Sequence, residues 1–231
     1  PKPPGQAAAE KTPEAGYVIS PKTYDIKPVA SASGSEQKLL LLTFDDAPRG
    51  ESTYQILDIL DKHQIKALFF INGIYAEKHL DALKAIVEHG HTIGNHTWDH
   101  TKLDTLPPDK QRDEILRVNA FLEKHLGQKP VFFRPPNGVN TNTVRQVMRE
   151  EGMQSFNWSI GSNDWVTTDP EKIKSSVQQY LHSGGNILMH DKATTAAVLE
   201  EMIQQLIKAG YQFVVPTDIY QDPVAQPTGN F

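Results

Sequence analysis

The ten residues from Leu39 to Pro48, LLLLTFDDAP, constrain this chain more than any other stretch. An unbroken apolar run this short suits a fully buried strand. It ends in two adjacent carboxylates, Asp45 and Asp46, and Ala47-Pro48 then stops the strand. Neighbours on an extended backbone point to opposite sides, so the two aspartates are free to do different jobs. Charges at the mouth of a buried strand are costly unless a metal, a cation or a reaction uses them. A pair of solvated turn aspartates is the plainer reading, and the rest of the chain decides between the two.

Downstream, strand-like and helix-like stretches alternate. Helices are expected over Ser52–His63, Ala76–His89, Pro108–Leu126, Asn142–Glu151, Pro170–His182 and Thr195–Ala209, from apolar spacing and end signals. Strands are expected at Ala67–Ile71, His91–Gly94, Val131–Phe133, Met153–Trp158, Asn186–Met189 and Gln212–Val215. Such alternation argues for parallel pairing through right-handed crossovers, and with no break between units it predicts one α/β barrel. At 231 residues the chain is long enough for one such core. Residues 1–37 read as a flexible N-terminal extension, with Tyr17–Val29 an arm packed on the domain. Residues 38–216 form the folded domain and 217–231 a loose C-terminal tail.

Five unusual groups fall just past the carboxyl ends of expected strands. They are Asp45-Asp46, then His96 and His100 in GNHTWDH, Arg134-Pro135-Pro136-Asn137-Gly138, Asp164-Trp165, and His190-Asp191. That end of a barrel carries the active site, whereas structural residues would scatter between both ends.

With no cysteine in the chain, any metal must be held by His, Asp or Glu. His96 and His100 are four residues apart, so on a helical turn both imidazoles project to one side. With one carboxylate they would give three protein ligands and an open position, as in a catalytic zinc site. Such a metal lowers the pKa of bound water to about 7 and polarises a carbonyl oxygen. If Asp46 is the ligand, Asp45 is free as the base and His190 across the mouth is the natural acid. Asp164 would hold His190 protonated, and Arg134 would keep Asp45 ionised and oriented. Trp165 and Leu188 would wall a small group such as a methyl. The plainer readings are an ordinary loop salt bridge for Arg134 and a turn residue for Asp164.

TFDDAP, HTWDH, RPPNG, DW and LMH, in this order, closely resemble the five motifs of the NodB-type polysaccharide deacetylases, carbohydrate esterase family 4. The resemblance spans Leu39 to about Val215. It implies a distorted (β/α)7 barrel, a divalent metal (zinc first, cobalt or nickel otherwise), and hydrolysis of an acetyl group on a sugar polymer. Carried over by position, it makes Asp45 the base and Asp46, His96 and His100 the metal ligands. Arg134 orients the base, Asp164 tunes the acid, and His190 is the acid. The oxyanion would be held by the metal and the Asn137 backbone N–H. Pro136, Asn137, Trp165 and Leu188 would line the substrate site.

Two positions depart from the family pattern. Ala47 stands where the family has Gly, a mild change if φ there is negative. Asn137 stands for the usual Tyr, which keeps a backbone donor and removes an aromatic wall of the groove. The expected substrate is an N-acetylated glycan, peptidoglycan first, with chitin oligosaccharides and acetylxylan as the family's other polymers. Two other readings are an amide hydrolase for a non-sugar substrate and a glycan-binding module with weak catalysis. The net charge of −5, without any Lys/Arg-rich block, speaks against nucleic acid. No run approaches the length of a membrane span. A monomer working outside the cell or at its envelope is expected.

Overall fold

The computed structural model describes residues 16–29 and 37–221. The opening run becomes β3 (Lys38–Ala47), the strand around which the sheet is built; β1 (Tyr17–Ile19) and β2 (Ile26–Pro28) precede it as a small hairpin. After β3 come α1 (Glu51–Lys62), β4 (Leu68–Ile71), α2 (Gly73–Lys78), α3 (Leu80–Glu88), β5 (Thr92–Asn95) and α4 (Pro108–Leu126). Then follow β6 (Phe132–Phe133), α5 (Asn142–Glu151), β7 (Gln154–Ser155), β8 (Ile160–Gly161) and α6 (Pro170–Gln179). The chain continues through β9 (Gly185–His190), α7 (Ala193–Lys208) and β10 (Tyr211–Phe213).

All pairings in the main sheet are parallel, in the order β7-β6-β5-β4-β3-β9-β8, with β10 beside the first half of β3. The sheet curls with helices outside, a distorted (β/α)7 barrel whose ring stays unpaired between β7 and β8. The expected strand over Met153–Trp158 is thus cut back to β7, and an unexpected short strand, β8, follows it across that break. Within it Asn157 turns its carbonyl to a side chain inside the barrel instead of to a neighbouring strand.

The two faces of β3 explain its unbroken leucine run. Leu40, Leu42 and Phe44 point outward into a core shared with Ile56, Leu57 and Leu60 of α1 and Leu199, Met202 and Ile203 of α7. Leu39 and Leu41 point inward, where they meet Leu68, Phe70, Phe132 and Phe156. Thr43 and Asp45 continue the inward row, so the barrel interior turns from apolar to polar toward the carboxyl end of its strands.

The arm expected over Tyr17–Val29 does pack on the domain: Ile19, Tyr24 and Ile26 are buried in the inner core, and the Ile26 N–H donates to the Gly184 carbonyl. Residues 1–15 and 30–36 of the N-terminal extension lie outside the described residues. The tail begins later than expected, because Ile219 is buried against the same core and pairs with Tyr17; residues 222–231 lie outside the description. The helix expected over Ala76–His89 is two helices, broken at His79 with φ −128° and ψ 50°. Its apolar stripe, Leu80, Leu83, Ile86 and Val87, belongs wholly to the second. Among the described residues, no helix is long and apolar enough to cross a membrane.

Candidate active site

The five sequence groups converge at the carboxyl end of the sheet. Alternation along β3 would have sent Asp45 and Asp46 to opposite faces. Instead the register against β4 slips between Phe44 and Ala47, and Asp46 takes the left-handed conformation with φ 60°. A bulge of this kind re-aims a side chain, and here it turns both carboxylates toward one site. Aspartate is among the residues that tolerate this conformation best.

Asp45 is 3% exposed and Arg134 is fully buried, and their salt bridge is 2.7 Å long, from Nη1 to Oδ1. The same Nη1 donates to Thr43 Oγ1 at 2.8 Å, and Nη2 donates to the Asn157 carbonyl at 2.9 Å and Asn186 Oδ1 at 3.3 Å. The guanidinium also lies 4.3 Å over the Phe70 ring. The second Asp45 oxygen, Oδ2, faces His96 Nε2 at 3.5 Å.

His96 and His100 do come together, with ring centroids 4.9 Å apart, although not on a helical turn. Residues 96–100 form an irregular loop in which Thr97 and His100 both have positive φ. Side chains outside the motif hold that loop. Asn95 Oδ1 accepts from the Thr97 N–H at 2.8 Å, and Glu114 Oε2 from the Trp98 and Asp99 N–H groups at 3.0 and 3.1 Å. Trp98 lies so close over Gly73 that a Cβ there would sit 2.1 Å from its ring, which is why a residue without a side chain stands at that position.

A metal fits the donor set. One donor atom each from Asp46, His96 and His100 lies within 4.8 Å of the others. Asp46 Oδ1 is buried with no hydrogen-bond partner, an orphan that a cation would satisfy. His96 Nδ1–H donates to the Arg134 carbonyl at 2.6 Å, so Nε2 is left as the bare, ligating nitrogen. Burial holds His96 toward its neutral form. Burial also opposes the charge on Asp46, but His96, His100, His190 and Arg49 outweigh it and bring its pKa below the usual carboxylate range. Neutral imidazole and ionised carboxylate are the forms a metal needs. Arg49 takes the other Asp46 oxygen at 3.1 Å while stacking 3.6 Å over Tyr75.

His190 does not lie across the mouth but beside Asp45, as its register partner on the neighbouring strand β9, and its Nδ1–H donates to Asp164 Oδ1 at 2.7 Å. Asp164 Oδ2 accepts from the His190 N–H and from Thr195 Oγ1, each at 2.6 Å. Asp164 follows β8, the strand that the sequence did not announce. Burial works against the His190 cation, but the hydrogen bond and charge of Asp164, with Asp45 and Asp46, hold its pKa above the ordinary value. Trp165 is 42% exposed and meets the His190 ring edge-on at 5.5 Å. Leu188 is buried on β9 opposite Thr43, two residues before His190. Pro136 is buried, whereas Asn137 is exposed with φ 56°.

Asp191, next to His190, was given no role on sequence grounds. Its carboxylate is fully buried and accepts from Ser52 Oγ at 2.6 Å, Thr53 Oγ1 at 2.5 Å and the Arg49 N–H at 3.1 Å. Its own N–H donates to the Asp45 carbonyl at 2.9 Å. It therefore ties the aspartate loop to β9. Ser52, expected at the start of α1, lies inside its first turn because the helix begins at Glu51 behind Gly50. The signal for Thr53 was its place three and four residues before Ile56 and Leu57, on the buried stripe.

The sequence matches the family described as polysaccharide deacetylase over residues 32–156. The chain belongs to the polysaccharide deacetylase family. A peptidoglycan-N-acetylglucosamine deacetylase of Bacillus cereus is 32% identical over 191 residues, covering 80% of this chain and 89% of that protein. Peptidoglycan-N-acetylmuramic acid deacetylase PdaC of Bacillus subtilis is 30% identical over 211 residues, 91% of this chain and 43% of that one. Among solved structures, BA3943 of Bacillus anthracis, a CE4 family pseudoenzyme, superposes with a TM-score of 0.73. It is 31% identical, and the match covers 78% of this chain and 64% of that one. The present chain is a hydrolase of the polysaccharide N-deacetylase class.

Proposed function

We propose that the protein removes acetyl groups from N-acetylated sugars of peptidoglycan, releasing acetate, with chitin-type oligosaccharides as its second substrate class. One observation carries the reading: the three-donor cluster of Asp46, His96 and His100 lies beside a buried carboxylate, Asp45, whose register partner is a carboxylate-backed imidazole, His190. A pseudoenzyme shares the fold, so the fold alone does not carry the activity; the presence of every one of these groups supports it. The names of the relatives in Bacillus cereus and Bacillus subtilis support peptidoglycan as the polymer.

Asp46, His96 and His100 would hold a divalent cation, zinc first. When bound, that ion supplies a lowered water pKa, to about 7, and a Lewis acid for the acetyl carbonyl. Asp45, its Oδ1 anchored on Arg134, takes the proton of the attacking water through Oδ2. The water oxygen joins the acetyl carbon and the carbon–nitrogen bond breaks. His190, whose Nδ1–H is held by Asp164, gives its Nε2 proton to the departing sugar nitrogen. The Asn137 N–H would donate to the oxyanion, and Trp165, Leu188 and Pro136 would wall the methyl group. The substrate places this work outside the cell or in its envelope.

Acetate release from peptidoglycan, chitin oligosaccharides and acetylxylan tests the polymer. Peptidoglycan should be deacetylated fastest and acetylxylan slowest, and acetate from acetylxylan alone would overturn the choice. The role of Asp164 has its own test. A general acid works only below its pKa, so activity should fall as pH rises past that of His190. Because Asp164 raises that pKa, Asp164→Asn should move the alkaline limb of kcat to lower pH. An alkaline limb that stays in place in the variant would remove Asp164 from this role.

A further inference from the structure

A cleft of about 310 Å³ opens beside the site described above and shares Asp164 and Trp165 with it. Asp164, Trp165, Thr167, Thr168, Lys192 and Thr194 line it. Its charge pattern is unusual for a chain whose net charge is −5. Both carboxylate oxygens of Asp164 are already committed to His190 and Thr195. The nearby Asp169 is spent as well, capping α6 at the Glu171 N–H and pairing with Lys172. Lys192 is thus the cation of this cleft, and among the described residues its ammonium makes one hydrogen bond, a long one of 3.5 Å to the Asp164 carbonyl oxygen. Among the described residues it makes no ion pair. Thr168 and Thr194 add hydroxyls that bond to no described protein group.

A half-buried lysine beside free hydroxyls, with the neighbouring acids already paired, is a recognition site for an anion. Its position says which one. Trp165 lies edge-on to His190 at 5.5 Å and also lines the cleft, so a group bound there belongs to the same glycan as the amide bound at His190. We propose that this cleft is a subsite for a carboxylate carried by a substituent of the glycan, with Lys192 as its recognising residue. The inference rests on the glycan deacetylase reading and sharpens it. It makes the enzyme prefer polymers with acidic substituents, as in peptide-bearing peptidoglycan, over neutral chitin-type chains.

A matched pair of ligands tests it: peptidoglycan fragments with free carboxylates, and the same fragments with those carboxylates converted to methyl amides. Binding to the zinc-loaded full chain is measured by calorimetry at low and high salt, and KM is measured in parallel. The wild type should bind the carboxylate form about 10- to 150-fold more tightly, the size of a hydrogen bond to a charged group. High salt should shrink that preference. Lys192→Gln should abolish it, and Lys192→Arg should keep most of it. Equal binding of the two forms by the wild type, or an unchanged preference in Lys192→Gln, would overturn the subsite. If neither ligand yields acetate, the deacetylase reading fails, while the binding ratio still decides the role of Lys192.

Discussion

Asp45→Asn should fold, keep its metal and lose about 10²- to 10⁴-fold in turnover, the usual size of a general-base effect. The substitution is isosteric, and the amide oxygen still accepts from Arg134 Nη1, now 2.7 Å from Asp45 Oδ1. Asp46, His96 and His100 are untouched, so bound zinc should remain near one equivalent. What is lost is a carboxylate able to take a proton at Oδ2, the oxygen facing His96 Nε2 at 3.5 Å. Steady-state kinetics on an N-acetylated glycan, with metal analysis of the same sample, reads both quantities. Turnover close to wild type would remove Asp45 from the role of base.

The largest effect on stability should come from Arg134→Met. Methionine can fill the space against Phe70 and Phe156, where the guanidinium lies 4.3 and 5.4 Å from the ring centres. It supplies no donor. Asp45, Thr43 and the Asn157 carbonyl would each lose the hydrogen bond that Arg134 gives them, inside a barrel where the guanidinium is fully buried. Removing one partner of a buried ion pair leaves the other charge uncompensated, and the expected loss is about 3–5 kcal/mol. Denaturant unfolding measures it. The exposed pair of Arg112 and Glu150, 2.6 Å apart, is the control, and its loss should leave the midpoint nearly unchanged. Activity should vanish with Arg134→Met as well, because Asp45 loses the group that aims it.

The convergence of the motifs was legible because a parallel barrel brings the carboxyl ends of its strands to one face. Any polar residue just past a strand therefore joins the others, however far apart they lie along the chain. The turn of the backbone at Asp45-Asp46 was not legible. Strict alternation would have parted the two carboxylates, and only the bulge against β4 reunites them. Nor was the shape of the His96–His100 loop, which is set by Glu114 from α4 and Asn95 from β5 rather than by helical hydrogen bonds. Glu114 did leave a trace: it sits beside Ile115 and four before Val118, on the stripe where a solvated glutamate would not belong. The role of Asp191 depends on Ser52 and Thr53, more than a hundred positions away, and no local pattern announces such a contact. The packing of the N-terminal arm was expected, but not its form, two strands of three residues each that become core only against a barrel built later in the chain.

The most direct test of the central claim is acetate released from peptidoglycan by the purified chain, before chelation, after chelation, and after zinc is restored. Acetate that appears, disappears and returns in that order is the predicted result. Acetate release that a chelator leaves unchanged, in protein shown to be free of metal, would contradict the account.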